Sequence, residues 1–561
     1  MIDSEIFTEQ AEYLSGTSFE QWSISHQNEA DTLRKLTQAG AKLITGPRGC
    51  GKTTLMLKAF NKLIMSSKGN GFPVYVNFKS SLKLEPLYKN NTNAAYWFNQ
   101  WVMLNVINGI YSSLDRLDLK ESVFKLTKDQ TAKNIELLEM GRIDLLNDKE
   151  DQVTLNDIHT IADKICESLS KPRFILLLDD AGHAFSSEQQ KDFFEFYRQI
   201  KSKKISPKAA VYPGVINYSS SFHVGHDAEE IDVWVKPNSD GYLDFMHSLL
   251  ESRFDDNIFS SLKADENLLN LMCFAAYGIP RALLNMISAV CVENDDGGVS
   301  VNLTAKKTLK EIKNSYDSTY GIYDSLKIKL PMYRNFIDTG SNFYEQILKI
   351  LKEFNKGSDT GRQSSVIAIK RPVTAELEKV IGFFQYAGLL SPNGISNRGG
   401  KGVYELYEVH YAAIIDRNIF FSSRAINSEK YTEAFMNRPN HHYPRHSENS
   451  LVPVENLGKA FSLALPPCEV CKSPRVSDQA KFCMECGAKL KDASIFEDIV
   501  NQNIDCLPIT SGRADSIKQS SKIRKIKDIL MDHDNKELRK VKMVGPAWAE
   551  RIRNYAEEFI A

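Results

Sequence analysis

Residues 46–53 read Gly-Pro-Arg-Gly-Cys-Gly-Lys-Thr, a GxxxxGK[ST] run between an apolar tetrad, KLIT, and an amphipathic stretch, TTLMLKAFNKLIM. Gly46, Gly49 and Gly51 let successive backbone N–H groups curl inward around an anion where Cβ atoms would obstruct. Pro47, Arg48 and Cys50 fill the variable positions of the loop. Lys52 adds positive charge for β- and γ-phosphate oxygens, and the Thr53 hydroxyl is suited to ligating Mg²⁺. Thr54 continues a helix whose N-terminal dipole points at the same anion. Such a loop needs a strand to deliver the chain and a helix to carry it away, so the run predicts an α/β fold around a parallel sheet.

The rest of the chain fits that frame. Apolar runs at PVYVNF (73–78), FILLLDD (174–180), AAVYPGV (209–215) and IDVWVK (231–236) alternate with helical stretches, as strands buried on both faces do. A helical insertion, about 82–171, separates the second run from the third. The predicted organisation is a nucleotide-binding core over 1–240, a helical lid over 241–300 and a winged helix over 301–420. A linker (421–466), a zinc ribbon (467–488), a second linker (489–520) and a small helical tail (521–561) follow.

A strand ending in Asp179 places a carboxylate beside a loop-bound Mg²⁺, and Asp180 next to it is placed to orient or deprotonate an attacking water. Gly278-Ile279-Pro280-Arg281 stops one helix and starts another. Arg281 is either a surface residue on that turn or a side chain reaching from the lid to the γ-phosphate.

Together, the GPRGCGKTT loop, the FILLLDD strand, the AAVYPGV strand and the GIPR turn resemble AAA+ ATPases of the origin-recognition and initiator type, and their STAND signalling relatives. The resemblance covers about 25–420. It implies that Lys52 and Thr53 hold phosphate and Mg²⁺, that Asp179 is the metal aspartate, that Arg281 is the second sensor, and that a polar residue such as Asn217 is the first. Two departures stand out. Asp180 replaces the glutamate common in these hydrolases, and no arginine lies between Arg198 and Arg253, where a trans-acting finger is expected. Such a finger is worth about 10³–10⁵ in rate, so hydrolysis is expected to be slow unless Arg198, Lys208 or a partner protein substitutes.

Cys468-x₂-Cys471-x₁₁-Cys483-x₂-Cys486 supplies two CxxC knuckles, the spacing of a closed four-thiolate Zn²⁺ site. Near the C-terminus, Val544-Gly545-Pro546 resembles the second half of a helix–hairpin–helix, with Met543 in the place of the usual first glycine. Residues 516–561 carry 11 Lys/Arg against 7 Asp/Glu, in a chain whose net charge is −1. Gly545 in this hairpin and Arg398 and Lys401 at the wing tip are the candidate DNA contacts.

Composition sets the outer limits. A 42% hydrophobic and 25% charged chain is globular, and Lys+Arg 70 against Asp+Glu 71 excludes a polybasic molecule, confining nucleic-acid contact to a local patch. With no long apolar segment, no basic and apolar leader and nine scattered or paired cysteines, the expectation is a cytoplasmic protein without a membrane contact. The functional expectation is an ATP-binding, slowly hydrolysing switch, using ATP, Mg²⁺ and Zn²⁺. Its nucleotide state would govern DNA binding or homo-oligomerisation, in replication, mobile-element or defence settings, with an effector protein as a further partner. The alternative is a nucleotide-sensing scaffold for protein partners that never holds DNA.

Overall fold

The computed structural model describes residues 10–14, 16–66, 71–90, 93–119, 124–146, 152–182, 186–293, 299–357, 362–421, 426–437, 442–452, 460–475, 480, 482–490, 495–509, 511–542 and 544–560. Met543, expected at the tip of the C-terminal hairpin, lies outside them.

Five strands form the central sheet: β1 (Lys42–Thr45), β2 (Phe72–Asn77), β3 (Phe174–Asp179), β4 (Ile205–Val211) and β5 (Glu229–Asp232). Every pairing is parallel, in the order β2-β3-β4-β1-β5. This is the α/β architecture that the phosphate loop demands. β3 and β4 are buried at every residue, because helices cover both faces of the sheet. β4 begins four residues before the apolar run that predicted it. Ser206, Pro207 and Lys208 hide its start, yet Lys208 is fully buried, its ammonium donating to the Gln38 carbonyl at 2.8 Å and to that of Gly40.

The predicted insertion is helical, with elements at Glu85–Asn90, Ala94–Arg116, Lys128–Glu139 and Leu155–Ser168. Thr127 with Gln130 and Thr154 with Asp157 close capping boxes at the last two, each satisfying two otherwise unpaired main-chain donors. Helix Ala94–Arg116 lies against β2 and buries Trp101, Ile107 and Ile110 completely.

Helices Tyr242–Glu251, Asp256–Lys263, Glu266–Ala275 and Pro280–Val290 fill the region expected as the lid. The turn before the last is tied to the segment leaving β5: Trp234 Nε1 donates to the Tyr277 carbonyl at 2.9 Å, and the Gly278 N–H to the Tyr242 hydroxyl at 2.9 Å. A Cβ on Gly278 would stand 1.8 Å from the Val235 carbonyl oxygen, and φ is +73° there, so only glycine permits this approach. Pro280 occupies the first turn of the final helix.

A long helix, Ala305–Lys329, leads to the winged helix: helix Arg334–Asn355, strand Val366–Lys370, helix Ala375–Ala387 and the antiparallel strands Leu390–Asn397 and Val403–Val409. The second of these helices packs inward. Gly214, just beyond β4, meets Gly382 so closely that a Cβ on Gly214 would lie 2.1 Å from the Gly382 carbonyl carbon.

Both segments expected as linkers contain ordered structure. Helix Ser428–Met436 buries Phe435 5.3 Å from Phe274 and Tyr431 5.5 Å from Phe420. Helices Ile495–Val500 and Ser511–Ser520 join Ile526–Leu530 and Pro546–Ile560 around one apolar cluster, including Ile499, Ile517, Ile529, Ile552 and Phe559. The first is only six residues long and the second carries only Ala514 and Ile517 as apolar residues, so the core assembles only when four helices are brought together. Leu82, just beyond β2, belongs to the same cluster. No helix among the described residues is long and apolar enough to cross a membrane.

Candidate functional site

The carboxyl ends of β1, β3, β4 and β5 open onto a cavity of about 360 Å³, within the range that small-molecule ligands use. Its lining includes Gly49, Cys50, Gly51, Lys52, Thr53 and Thr54 from the loop, Asp180 and Tyr212 from the strand ends, and Arg281 from the lid. Apolar walls come from Phe19, Trp22, Phe245 and Leu284. Arg253 reaches the face of Trp22 at 5.2 Å.

Within the loop, Gly46, Gly49 and Gly51 all have positive φ. Lys52 is buried, its ammonium donating to the Gly46 carbonyl at 2.8 Å and the Pro47 carbonyl at 3.0 Å, 3.8 Å from the centroid of the Tyr212 ring. Burial lowers its pKa, while the nearby Cys50, Asp180 and Asp179 oppose that effect. The anion best able to draw this ammonium off its own main chain is one carrying several negative charges.

Asp179 ends β3 with no exposed surface. Tyr75 donates to its Oδ2 at 2.9 Å, and the Asp180 N–H to its Oδ1 at 3.0 Å. Burial, then the charges of Asp180 and Glu12, push its pKa up to about 7, against lowering hydrogen bonds from Thr53 and Tyr75. Asp180 takes a left-handed backbone (φ +50°), and its Oδ1 accepts from the Tyr212 hydroxyl at 2.9 Å. Carboxylates converging beside a threonine hydroxyl in a buried place fit a small divalent cation, with Thr53 and Asp179 as the residues to hold it. Such an ion would supply positive charge for phosphate oxygens.

Arg281 does not lie idle on a surface turn. Its Cβ would be 3.3 Å from a Cβ on Gly49, so the GIPR turn rests on the phosphate loop. Its Nη1 pairs with Glu558 Oε1 at 3.0 Å, while Arg48 Nη2 donates to the Glu558 carbonyl oxygen at 2.8 Å. Burial would raise the Glu558 carboxyl, yet Arg281, Arg48 and Lys79 outweigh it and hold the pKa below its usual value.

Several candidates stand apart. Asn217, proposed as first sensor, does not line the cavity; its N–H and Nδ2 both donate to Gln190 Oε1, at 2.7 and 2.8 Å. Tyr212, one residue past β4, holds the position between Lys52 and Asp180 instead. Arg198 is paired with Glu195 on its own helix at 2.6 Å, and Lys208 is buried in the sheet, so neither is placed as a finger toward a neighbouring copy. Arg398 and Lys401 are exposed at the wing tip, and Gly545 is exposed beside the last helix, none of them lining the cavity.

Glu12, Lys79, Tyr212 and Glu558 line this site without any motif to announce them. Glu12 and Glu558 are far from the loop in sequence and reach it only through tertiary packing. Tyr212 lies inside the AAVYPGV run and was readable there as a strand-end polar group.

The four cysteine sulfurs lie within 4.8 Å of one another, with Cys468–Cys486 at 3.6 Å and Cys471–Cys483 at 3.5 Å. Tetrahedral Zn²⁺ with Zn–S of about 2.3 Å sets sulfurs about 3.8 Å apart, so these residues fit the ion. All ligand positions would be sulfur, leaving a structural staple.

Residues 151–389 match the ORC-CDC6-like family model, the initiator branch that the sequence motifs resemble. The match takes in β3, β4, β5, the lid and most of the winged helix. Among solved structures, the chain is similar to Orc1 of Aeropyrum pernix in complex with DNA, at 11% identity and a TM-score of 0.31, covering 74% of this chain and 96% of that one. It is also similar to Cdc6p of Pyrobaculum aerophilum, at 13% identity and a TM-score of 0.27, covering 78% and 98%. None of the curated proteins matches.

Proposed function

We propose that the protein is a slow ATPase that works as a molecular switch, its nucleotide state governing contact with DNA and association with further copies of itself. The observation that carries this reading is the convergence on one cavity of Lys52, Thr53, Asp180 and Arg281, with Asp179 buried directly behind. Lys52 and the loop N–H groups hold the triphosphate. Asp180, kept in place by Tyr212, orients the attacking water, and Arg281 carries the state of the γ-phosphate into the lid. The family-model match, which spans the metal-aspartate strand and the lid, supports an initiator-type role with DNA as partner.

Arg398 and Lys401 on the wing are the proposed phosphate contacts. The second helix of the winged helix is not, because it is buried against the core and its free N-terminal end bears Glu376 and Glu378. Duplex DNA binding, measured with ATP and Mg²⁺ over a salt series, tests the reading. Affinity is expected to fall steeply with salt, as release of counterions requires. No binding at low salt would overturn the DNA half of the proposal.

One feature favours the scaffold reading. The cysteine module exposes Val470 (73%), Phe482 (61%) and Met484 (81%), an apolar surface suited to a protein rather than to phosphate. Under that reading the same salt series gives no DNA complex, and the ribbon alone carries the partner.

A further inference from the structure

The cavity does not end with the phosphate loop, the strands and the lid. The C-terminal helix Pro546–Ile560 reaches its lining through Glu558, which sits on Arg281 of the GIPR turn and Arg48 of the phosphate loop itself. The carboxylate reaches Arg281 at 3.0 Å, and the main-chain oxygen of the same residue reaches Arg48 at 2.8 Å. The sequence separations are 277 and 510 residues, so the anion comes from a separate folding unit. The contact extends beyond this residue: helix Ile495–Val500 packs on helices Glu85–Asn90 and Ala305–Lys329. Phe559 lies 5.7 Å from the ammonium of Lys329, and Leu82, with part-buried Ile328, meets the module's apolar cluster.

We infer that Glu558 discriminates between nucleoside di- and triphosphates by occupying the arginine that a γ-phosphate needs. This rests on the nucleotide reading above and deepens it. A diphosphate is held by the loop and Lys52 and leaves Arg281 to Glu558. A triphosphate brings a further anion to the same guanidinium, which then takes phosphate in exchange for carboxylate. Two anions competing for one arginine bind in mutual opposition. By linkage, the factor by which the docked module weakens ATP equals the factor by which ATP weakens docking. The freed module, whose residues 516–561 carry 11 Lys/Arg against 7 Asp/Glu, would then be available to a partner only in the triphosphate state.

Other charges face Glu558. Arg48, Arg281 and Lys79 are cationic, while Glu12 from the N-terminal segment is anionic and has its own pKa raised by burial and by Asp180. Glu12 therefore adds to the local negative charge, and a triphosphate entering without loss of Glu558 would bring three anionic groups against those cations. Displacing Glu558 relieves that crowding.

The test is isothermal titration of the full chain with ADP·Mg²⁺ and with a non-hydrolysable ATP analogue and Mg²⁺, in wild type, Glu558→Gln and Glu558→Asp. X-ray scattering on the same samples reports undocking. Glu558→Gln is expected to tighten the triphosphate about tenfold while leaving ADP unchanged, and Glu558→Asp, which keeps the charge, to restore the wild-type ratio. The analogue, but not ADP, should enlarge the wild-type radius of gyration. Phe559→Ala, which loosens docking without touching charge, should shift the ratio in the same direction by less. Equal effects on both nucleotides, or an unchanged ratio, would overturn the inference while leaving the site intact. No heat from either nucleotide in any variant would instead overturn the nucleotide reading beneath it.

Discussion

At the amino end of the sheet, Lys35 and Lys42 both reach Glu229, and Lys208 sits fully buried on two main-chain carbonyls. At the carboxyl end, Arg281 and Arg48 are met by a residue from the last helix of the chain. Lys208 is buried and Arg48 and Arg281 are half-buried, whereas the Lys35–Glu229 pair stands open to solvent. At the amino end the carbonyls that hold Lys208 belong to the turn beside the sheet, and removing them means unfolding the core. At the carboxyl end the partner belongs to another module. The same physics gives a fixed frame at one end and, under the proposal above, an exchangeable anion at the other.

The largest expected effect falls at the carboxyl end. Lys52→Ala and Asp179→Asn should each lower ATP turnover by about 10²-fold or more, since each removes charge stabilisation from the reacting phosphate. Phosphate release, with circular dichroism to confirm folding, checks this. Retained turnover in either variant would remove the distinction between the two ends.

Lys208 provides the matching test at the amino end. Burial lowers its folded pKa to about 7 from 10.5. Between those values the unfolded chain binds the additional proton, so wild-type stability should rise with pH relative to Lys208→Met. The gain from pH 7 to pH 9 is expected to be on the order of 2 kcal/mol. Paired denaturant curves measure it, and a difference independent of pH would show that the lysine is not held in the low-dielectric setting described. ATP turnover of Lys208→Met at 25 °C should match wild type.

Tyr212→Phe is a smaller probe. It removes the hydroxyl held to Asp180 at 2.9 Å and preserves the ring under Lys52. A loss of about 1 kcal/mol, or roughly fivefold in turnover, is expected, with nucleotide affinity unchanged. Unchanged turnover would separate Asp180 from the attacking water.

The smallest effect is at the wing. Arg398→Ala and Lys401→Ala should each reduce the salt slope of DNA binding by about 1, uniformly across sequences. A slope that does not move would place the DNA surface elsewhere, the C-terminal module being the next region to test.

What the sequence revealed follows the range of the interactions. The loop at 46–53, the acid ending β3 and the paired cysteines depend on neighbours a few residues away, and each stands where its motif placed it. β4 was shifted by four residues because a buried Pro207 and Lys208 look like a loop, and only the carbonyls of Gln38 and Gly40 make the lysine tolerable there. The two expected linkers carry helices whose apolar residues find their partners in segments distant in sequence or in one another. Glu12 and Glu558 were illegible for the same reason: a carboxylate has no local signature of the arginine it will meet.

The most direct measurement of the central claim is a calorimetric titration of the full chain with ATP and Mg²⁺, run in parallel on Lys52→Ala. The account predicts saturable binding to wild type that is lost in the variant, with the circular dichroism of the two proteins the same. Equal binding by both, or none by well-folded wild type, would contradict it.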